Sequence, residues 1–240
     1  MKAMIFAAGL GTRLKPYTDH TPKAMVKIKG KPLLEWKIEW LQKWGFNEII
    51  VNVHHFSDQV KSFLNHYHKP GLQIAISDES DFLLETGGGL KKAKPLLIGE
   101  EPFLVVNVDI LSNINLKDFY QSHLNGKALA TLAVRNRNTS RYFVFNDNDE
   151  LCGWKNVKTG EERWSRKTDE GNVLAFSGMH IISPQIFDLM EEEGAFSIVD
   201  VYLRLAQKHL IKAFRHDESI WIDVGKPHHL AEAEKFIDQL

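Results

Sequence analysis

The chain has 240 residues, 43% of them hydrophobic and 25% charged, with a formal net charge of −1. That length buries a substantial core, the balanced charge excludes generic nucleic-acid binding, and no run approaches the roughly 18 apolar residues of a membrane span. The single cysteine, Cys152, excludes an internal disulfide and points to a reducing compartment.

Ala3 to Ala7 form a short apolar run that stops at a glycine signal, which reads as a buried strand. Gly9 and Gly11 follow, where backbone without a Cβ lets main-chain N–H groups approach a ligand. Arg13, Lys15 and Lys23 then supply charge, while Pro16 and Pro22 oppose a helix. Strand, open loop and cations describe a polyphosphate cradle. Leu14 stands where a dinucleotide fingerprint needs a small residue, and Leu14-Lys15-Pro16 breaks a Walker A frame, so both better-known loops are excluded. The apolar run is too short, and too soon broken by glycine, for a signal peptide, and a cytoplasmic location is expected.

The 17 residues from Ala7 to Lys23, AAGLGTRLKPYTDHTPK, resemble the signature of the sugar-1-phosphate nucleotidyltransferases, roughly AAGxGTRLxPxTxxxPK. The resemblance implies a GT-A-like α/β fold, with a mixed, mostly parallel Rossmann-like sheet, helices on both faces and a small β-rich sugar-binding part. It also implies that Ala7, Ala8, Gly9, Gly11 and Thr12 wrap a nucleoside triphosphate whose phosphates Arg13 and Lys23 neutralise.

Beyond the loop, Leu33, Leu34, Ile38 and Leu41, with Trp36, Trp40 and Trp44 at intervals of four, predict an amphipathic helix ending at Gly45. The tryptophans read as core packing. Strands are expected at 47–53 and 72–77, with a helix capped by Ser57 between them. This alternation implies right-handed parallel βαβ units, whose ligands sit beyond the carboxyl ends of the strands.

Glu85-Thr86-Gly87-Gly88-Gly89 reads as a loop whose bare backbone lies against a planar or anionic group. In register it resembles the family's base- and sugar-facing loop, giving Glu85, Thr86 and Gly87 nucleotide roles. This form particularly resembles the bacterial N-acetylmuramate-1-phosphate uridylyltransferases of cell-wall recycling.

A strand over 103–109 ends in Asp109, a hard oxygen ligand for a Mg²⁺ ion bridging triphosphate and protein. Val108 replaces the family's usual glycine, and Asn107 is expected to face the sugar phosphate. After a helix at 115–125 and a strand at 127–134, polar turns and short apolar runs predict an antiparallel meander. Asp147 and Asp149 spell DxD, but within a hairpin turn, where these residues favour left-handed backbone. Residues 155–172 are poorly patterned, and the Glu-Lys-Pro element of many relatives is missing; Lys155 or Lys158 is the expected substitute.

Phe176-Ser177-Gly178 resembles the sugar-binding strand, with Gly178 keeping its floor low. A helix over 196–206 follows, then strands at 211–215 and 219–222 expected to pair. Trp221-Ile222-Asp223-Val224-Gly225 resembles the family's WxDxGT, with Asp223 as second metal carboxylate and Lys226 in place of Thr. The histidine clusters His54-His55, His66 with His68, and His228-His229 lack zinc spacing and read as surface or packing residues, with His54 nearest the expected base.

One domain over 1–240 is expected, with 1–112 the nucleotide half and 113–240 the sugar-phosphate half. No acyltransferase-type repeat follows, so a single activity is expected. The implied reaction is Mg²⁺-dependent nucleotidyl transfer, with UTP expected first, mannose-1-phosphate guanylyl transfer the alternative, and a non-catalytic sugar-nucleotide sensor the reading from another class. Monomer and homodimer both stay open, and neither nucleic acid nor membrane is expected as a partner.

Overall fold

A computed structural model describes residues 1–168 and 171–239 of the chain. Strand β1 (Lys2–Phe6), helix α1 (Leu33–Lys43), β2 (Glu48–Val53), α2 (Ser57–His66) and β3 (Gln73–Asp78) form the parallel unit that the alternation predicted. Helix α3 (Glu85–Lys92) leads to β4 (Phe103–Asn107), which pairs parallel to the other edge of β1, so that Ile5 lies opposite both Val51 and Val106. Parallel strands bury both faces, and successive residues alternate between two apolar layers. Ala3 and Ile5 enter the layer under α1 and α2, whereas Met4 enters the opposite layer, shared with Leu90, Leu97 and Val201.

The chain continues through β5 (Ile110–Ser112), α4 (Leu116–Gly126) and β6 (Ala130–Arg135), then the meander β7 (Arg141–Phe145), β8 (Leu151–Asn156) and β9 (Glu161–Trp164). The long β10 (Asn172–Ile182) joins the parts. It runs antiparallel to β4, β6 and β7, giving the order β9-β8-β7-β10-β4-β1-β2-β3. Helix α5 (Ile198–Leu205), strands β11 (Ile211–Arg215) and β12 (Trp221–Asp223), and helix α6 (His228–Phe236) complete the chain. The sheet is mixed, parallel over β4, β1, β2 and β3, with helices on both faces, as expected.

Several local expectations need correction. The glycines of α3 are helical, not a loop, and Gly87 and Gly88 let that helix approach the 194–198 segment. A Cβ on Gly88 would lie 2.3 Å from the Gly194 carbonyl oxygen, and one on Gly87 would lie 2.4 Å from the Phe196 ring. Part of the stretch 155–172 is ordered as the β8–β9 hairpin, where Trp154 pairs across from Arg163. The two late strands do not pair with each other: β11 extends the main sheet parallel to β6, and β12 crosses to pair antiparallel with β5. Ser57 is the first residue of α2 rather than its cap, since Phe56 before it adopts φ 51° and provides no capping bond. The tryptophans do pack: Trp40 is buried, and Trp36 donates to the Ile28 carbonyl at 3.1 Å. The Asp147–Asp149 pair sits in the turn before β8, where Asp149 meets Arg215 at 2.8 Å.

Among the described residues, no helix is long and apolar enough to cross a membrane.

Candidate active site

Adjacent parallel strands β1 and β4 end side by side, and the Val108 amide donates to the Phe6 carbonyl at 3.1 Å. The residues after each strand therefore open into one crevice, a cavity of about 410 Å³. Ala7, Ala8 and Gly9 form one wall, Glu85, Thr86 and Ser197 another, and Asn107, Asp109 and Lys23 close the end. Gly9 faces open space, whereas Gly11, at φ 67°, is held by Thr18, whose hydroxyl donates to the Gly11 carbonyl at 2.9 Å. The loop thus has a fixed base and an uncovered tip carrying exposed Thr12 and Arg13.

The cavity's first wall is braced from behind. The Asn52 amide oxygen accepts the Ala7 N–H at 2.7 Å, and its nitrogen donates to Glu79 Oε1 at 2.8 Å. Glu79 has no exposed surface, and burial pushes its carboxyl above the ordinary range. Nothing in the sequence patterning marked this pair. The Ala7 amide is consequently engaged inside the protein rather than free for a ligand. Thr86 is likewise tied, its hydroxyl accepting the Ile198 amide at 3.0 Å.

The end of the cavity concentrates charge. Lys23 pairs with Asp109, and Asp223 stands beside them with Arg13 at 3.9 Å. The register explains the meeting: β12 pairs Asp223 with Ile110, and the Val224 amide donates to the Asp109 carbonyl at 2.8 Å. Burial alone would raise the Asp109 carboxyl, but the charge and hydrogen bond of Lys23 hold it below the ordinary carboxylate range. Burial and then the Asp109 charge push Asp223 the other way, above it. Gly225 keeps this corner open, since a Cβ there would lie 2.6 Å from Asp223 Oδ1 and 2.9 Å from Arg13 Nη2.

Lys37 is a further charged residue, buried among the apolar positions of α1. It is 2% exposed, donates to the Ile110 carbonyl, and lies 4.4 Å from the Trp40 ring centre. Burial lowers its ammonium to about 7, opposed by the charge of Asp109.

The expected sugar-side residues divide. Gly178, at φ 73°, lies in a bulge of β10 against β6, and a Cβ there would come within 2.8 Å of Asn107 Nδ2. Ser177 has no exposed surface, and its hydroxyl bonds His216 Nε2 at 2.7 Å, so its side chain is turned into the protein. Gly87 is buried in α3, and neither Lys155 nor Lys158 lines the cavity. His54 bonds the Glu79 carbonyl at 2.7 Å, a structural contact.

The family model described as "Nucleotidyl transferase" matches residues 2–239. The chain belongs to that family, and it is an enzyme of the sugar-phosphate nucleotidyltransferase class. Among its curated relatives, the N-acetylmuramate alpha-1-phosphate uridylyltransferase of Neisseria meningitidis serogroup B is 33% identical, covering 98% of this chain and 97% of its own. The protein of the same name from Caulobacter vibrioides is 32% identical, covering 97% and 95%. Among solved structures, HddC from Yersinia pseudotuberculosis in complex with GMP-PN superimposes with a TM-score of 0.76 at 25% identity, over 98% of both chains.

Proposed function

We propose that the protein transfers a uridylyl group from UTP to N-acetylmuramate 1-phosphate or a closely related hexose 1-phosphate, with Mg²⁺, in the cytoplasm. The observation that carries this reading is the convergence of Lys23, Asp109 and Asp223 at the end of a cavity walled by the Ala7–Gly9 backbone. The Neisseria and Caulobacter relatives support the choice of base and sugar.

In the reaction, an anionic oxygen of the sugar phosphate attacks the α-phosphorus of the triphosphate. The new O–P bond forms as the α–β bridge breaks, and pyrophosphate leaves with the electron pair. The attacking oxygen is already deprotonated, so no general base is needed; positioning and charge neutralisation carry the catalysis. Arg13 and the backbone amides of Gly9 to Thr12 hold the β- and γ-phosphates, and Lys23 meets the α-phosphate. Glu85 and Thr86 border the base, while Asn107 and Gly178 border the sugar.

Asp109 and Asp223 fit a hard divalent cation. Both are oxygen donors, and Asp223 Oδ1 is buried with no hydrogen-bond partner. Among the described residues no third His, Cys, Asp or Glu joins them, which suits an ion that keeps water and phosphate ligands. Mg²⁺ held there would neutralise charge on the reacting phosphates.

Pyrophosphate release measured with UTP, GTP and CTP against N-acetylmuramate, glucose and mannose 1-phosphates tests the reading. UTP with N-acetylmuramate 1-phosphate is expected to give the highest kcat/KM, abolished by EDTA and restored by Mg²⁺. A preference for GTP with mannose 1-phosphate would replace it with the guanylyl alternative, for which the GMP-PN complex of the Yersinia neighbour is the supporting observation. Nucleotide binding without any product would leave only a sensor.

A further inference from the structure

The segment leaving β6 carries two arginines that the reaction above does not use. Arg135 is a strut, donating to the carbonyls of Ser219 at 3.1 Å and Asp217 at 3.2 Å. Arg137 is different. Its guanidinium carbon lies 4.4 Å from the Trp221 ring centre, and Nη2 donates to the Phe176 carbonyl at 2.9 Å. Its Nε is buried with no partner, and among the described residues no carboxylate lies within ion-pair distance. A half-buried cation without a counter-charge is costly unless a ligand supplies one.

Its neighbours locate that ligand. Trp221 stands two residues before Asp223 on β12, and its indole N–H donates to the Ser177 carbonyl at 2.9 Å. Phe176 stands two residues before Gly178, which abuts Asn107 in the cavity wall. Arg137 thus occupies the corner where the bulge of β10 meets the carboxylate pair. Of the charged groups facing it, Asp223 attracts it and Arg135 repels it. A dianion entering beside Asp109 and Asp223 is repelled by both, so a cation on this side is what admits it. The ring and the carbonyl fix the guanidinium plane, leaving the donors that the Phe176 carbonyl does not take to meet a phosphate oxygen.

We propose that Arg137 binds the phosphate of the acceptor sugar 1-phosphate; the assignment rests on the transfer reaction proposed above. Steady-state kinetics of the full chain, with the acceptor that wild type uses best, test it in R137A, R137Q and R137K. In R137A the KM for the sugar 1-phosphate is expected to rise about 10- to 100-fold, the loss of a charge-assisted hydrogen bond. The KM for the triphosphate should stay within about twofold, far below the tenfold that 1.4 kcal/mol represents. R137K should recover part of the loss. R137Q retains a donor for the Phe176 carbonyl without the charge, so it reads the charge alone if R137A does not fold. An unchanged acceptor KM in R137Q, or equal losses for both substrates, would overturn the assignment and make Arg137 a strut. Wild type inactive with every substrate pair would overturn the transfer reaction and this inference together; active wild type with an intact acceptor KM in the variants overturns only the inference.

Discussion

Replacing Asp223 by Asn should make the protein more stable and nearly inactive, a pairing that separates a site residue from a structural one. In the folded chain Asp223 is raised by burial and by the Asp109 charge. Two unit charges sharing one site at an effective dielectric near 20 repel by up to roughly 4 kcal/mol. Lys23, already paired with Asp109, and Arg13 at 3.9 Å offset most of that. The side chain is also 28% exposed, which admits further screening. A net relief of about 1 kcal/mol remains, which in a chain this long raises the melting temperature by roughly 2–4 °C. Activity should fall about 10²- to 10³-fold, as when a group stabilising transition-state charge is removed. Melting curves at pH 8 and pyrophosphate release with excess Mg²⁺ read both effects. A D223N protein that melts lower than wild type, or keeps its turnover, would refute the repulsion argument or the metal role respectively.

Acid should unfold the protein early through three buried histidines. His123 and His180 are lowered by burial to about 4 and about 3, and His216, lowered by burial and then by Arg135, also lies near 4. The unfolded chain binds protons from about pH 6.5 downward while the folded chain does not, so stability falls as pH drops below that value. At pH 5 each histidine should cost about 2 kcal/mol relative to pH 8; urea midpoints unchanged between the two would contradict this. Glycine substitutions should divide by location. G88A drives a Cβ to 2.3 Å from the Gly194 carbonyl and should destabilise by about 1–3 kcal/mol, as overpacking does, seen as a lower melting temperature. G9A meets nothing within 4 Å, so it should melt like wild type and show its effect, if the loop tip holds phosphates, as a raised KM for the triphosphate. A lowered melting temperature in G9A would show that the loop tip is packed rather than open.

What the sequence displayed was whatever short-range chemistry encodes. The β1 run and its glycine loop, the apolar stripe of α1, and the strand-end position of Asp223 each follow from periodicity or local composition; β4 closes at Asn107, so Asp109 lies in the turn after it rather than at its end, and the structure brings the two carboxylates together. What it hid depends on partners distant in sequence. The glycines of α3 read as ligand-facing because bare backbone invites that inference, but Gly87 and Gly88 approach Phe196 and Gly194, more than a hundred residues on, and Gly89 approaches Glu79 and Asn52. Ser177 was grouped with Gly178 by resemblance, yet successive residues of a strand face opposite ways. The bulge that exposes Gly178 to Asn107 leaves the serine hydroxyl on His216.

The same logic explains the unread cations. Lys37 lies among the apolar positions of α1, where a lysine would ordinarily be taken for a helix-surface charge. Only the turn between β4 and β5, placing the Ile110 carbonyl under it, reveals why a cation is held there. Arg137 sits in a polar stretch that looks like an exposed connection, and its meaning depends on Trp221 arriving from the far end of the chain. Each is anchored by a carbonyl and an aromatic ring, with no ion pair to a carboxylate among the described residues. A charge pattern along the sequence finds cations by counting nearby acids, so it passes over those whose counter-charge lies across the fold or comes from a substrate.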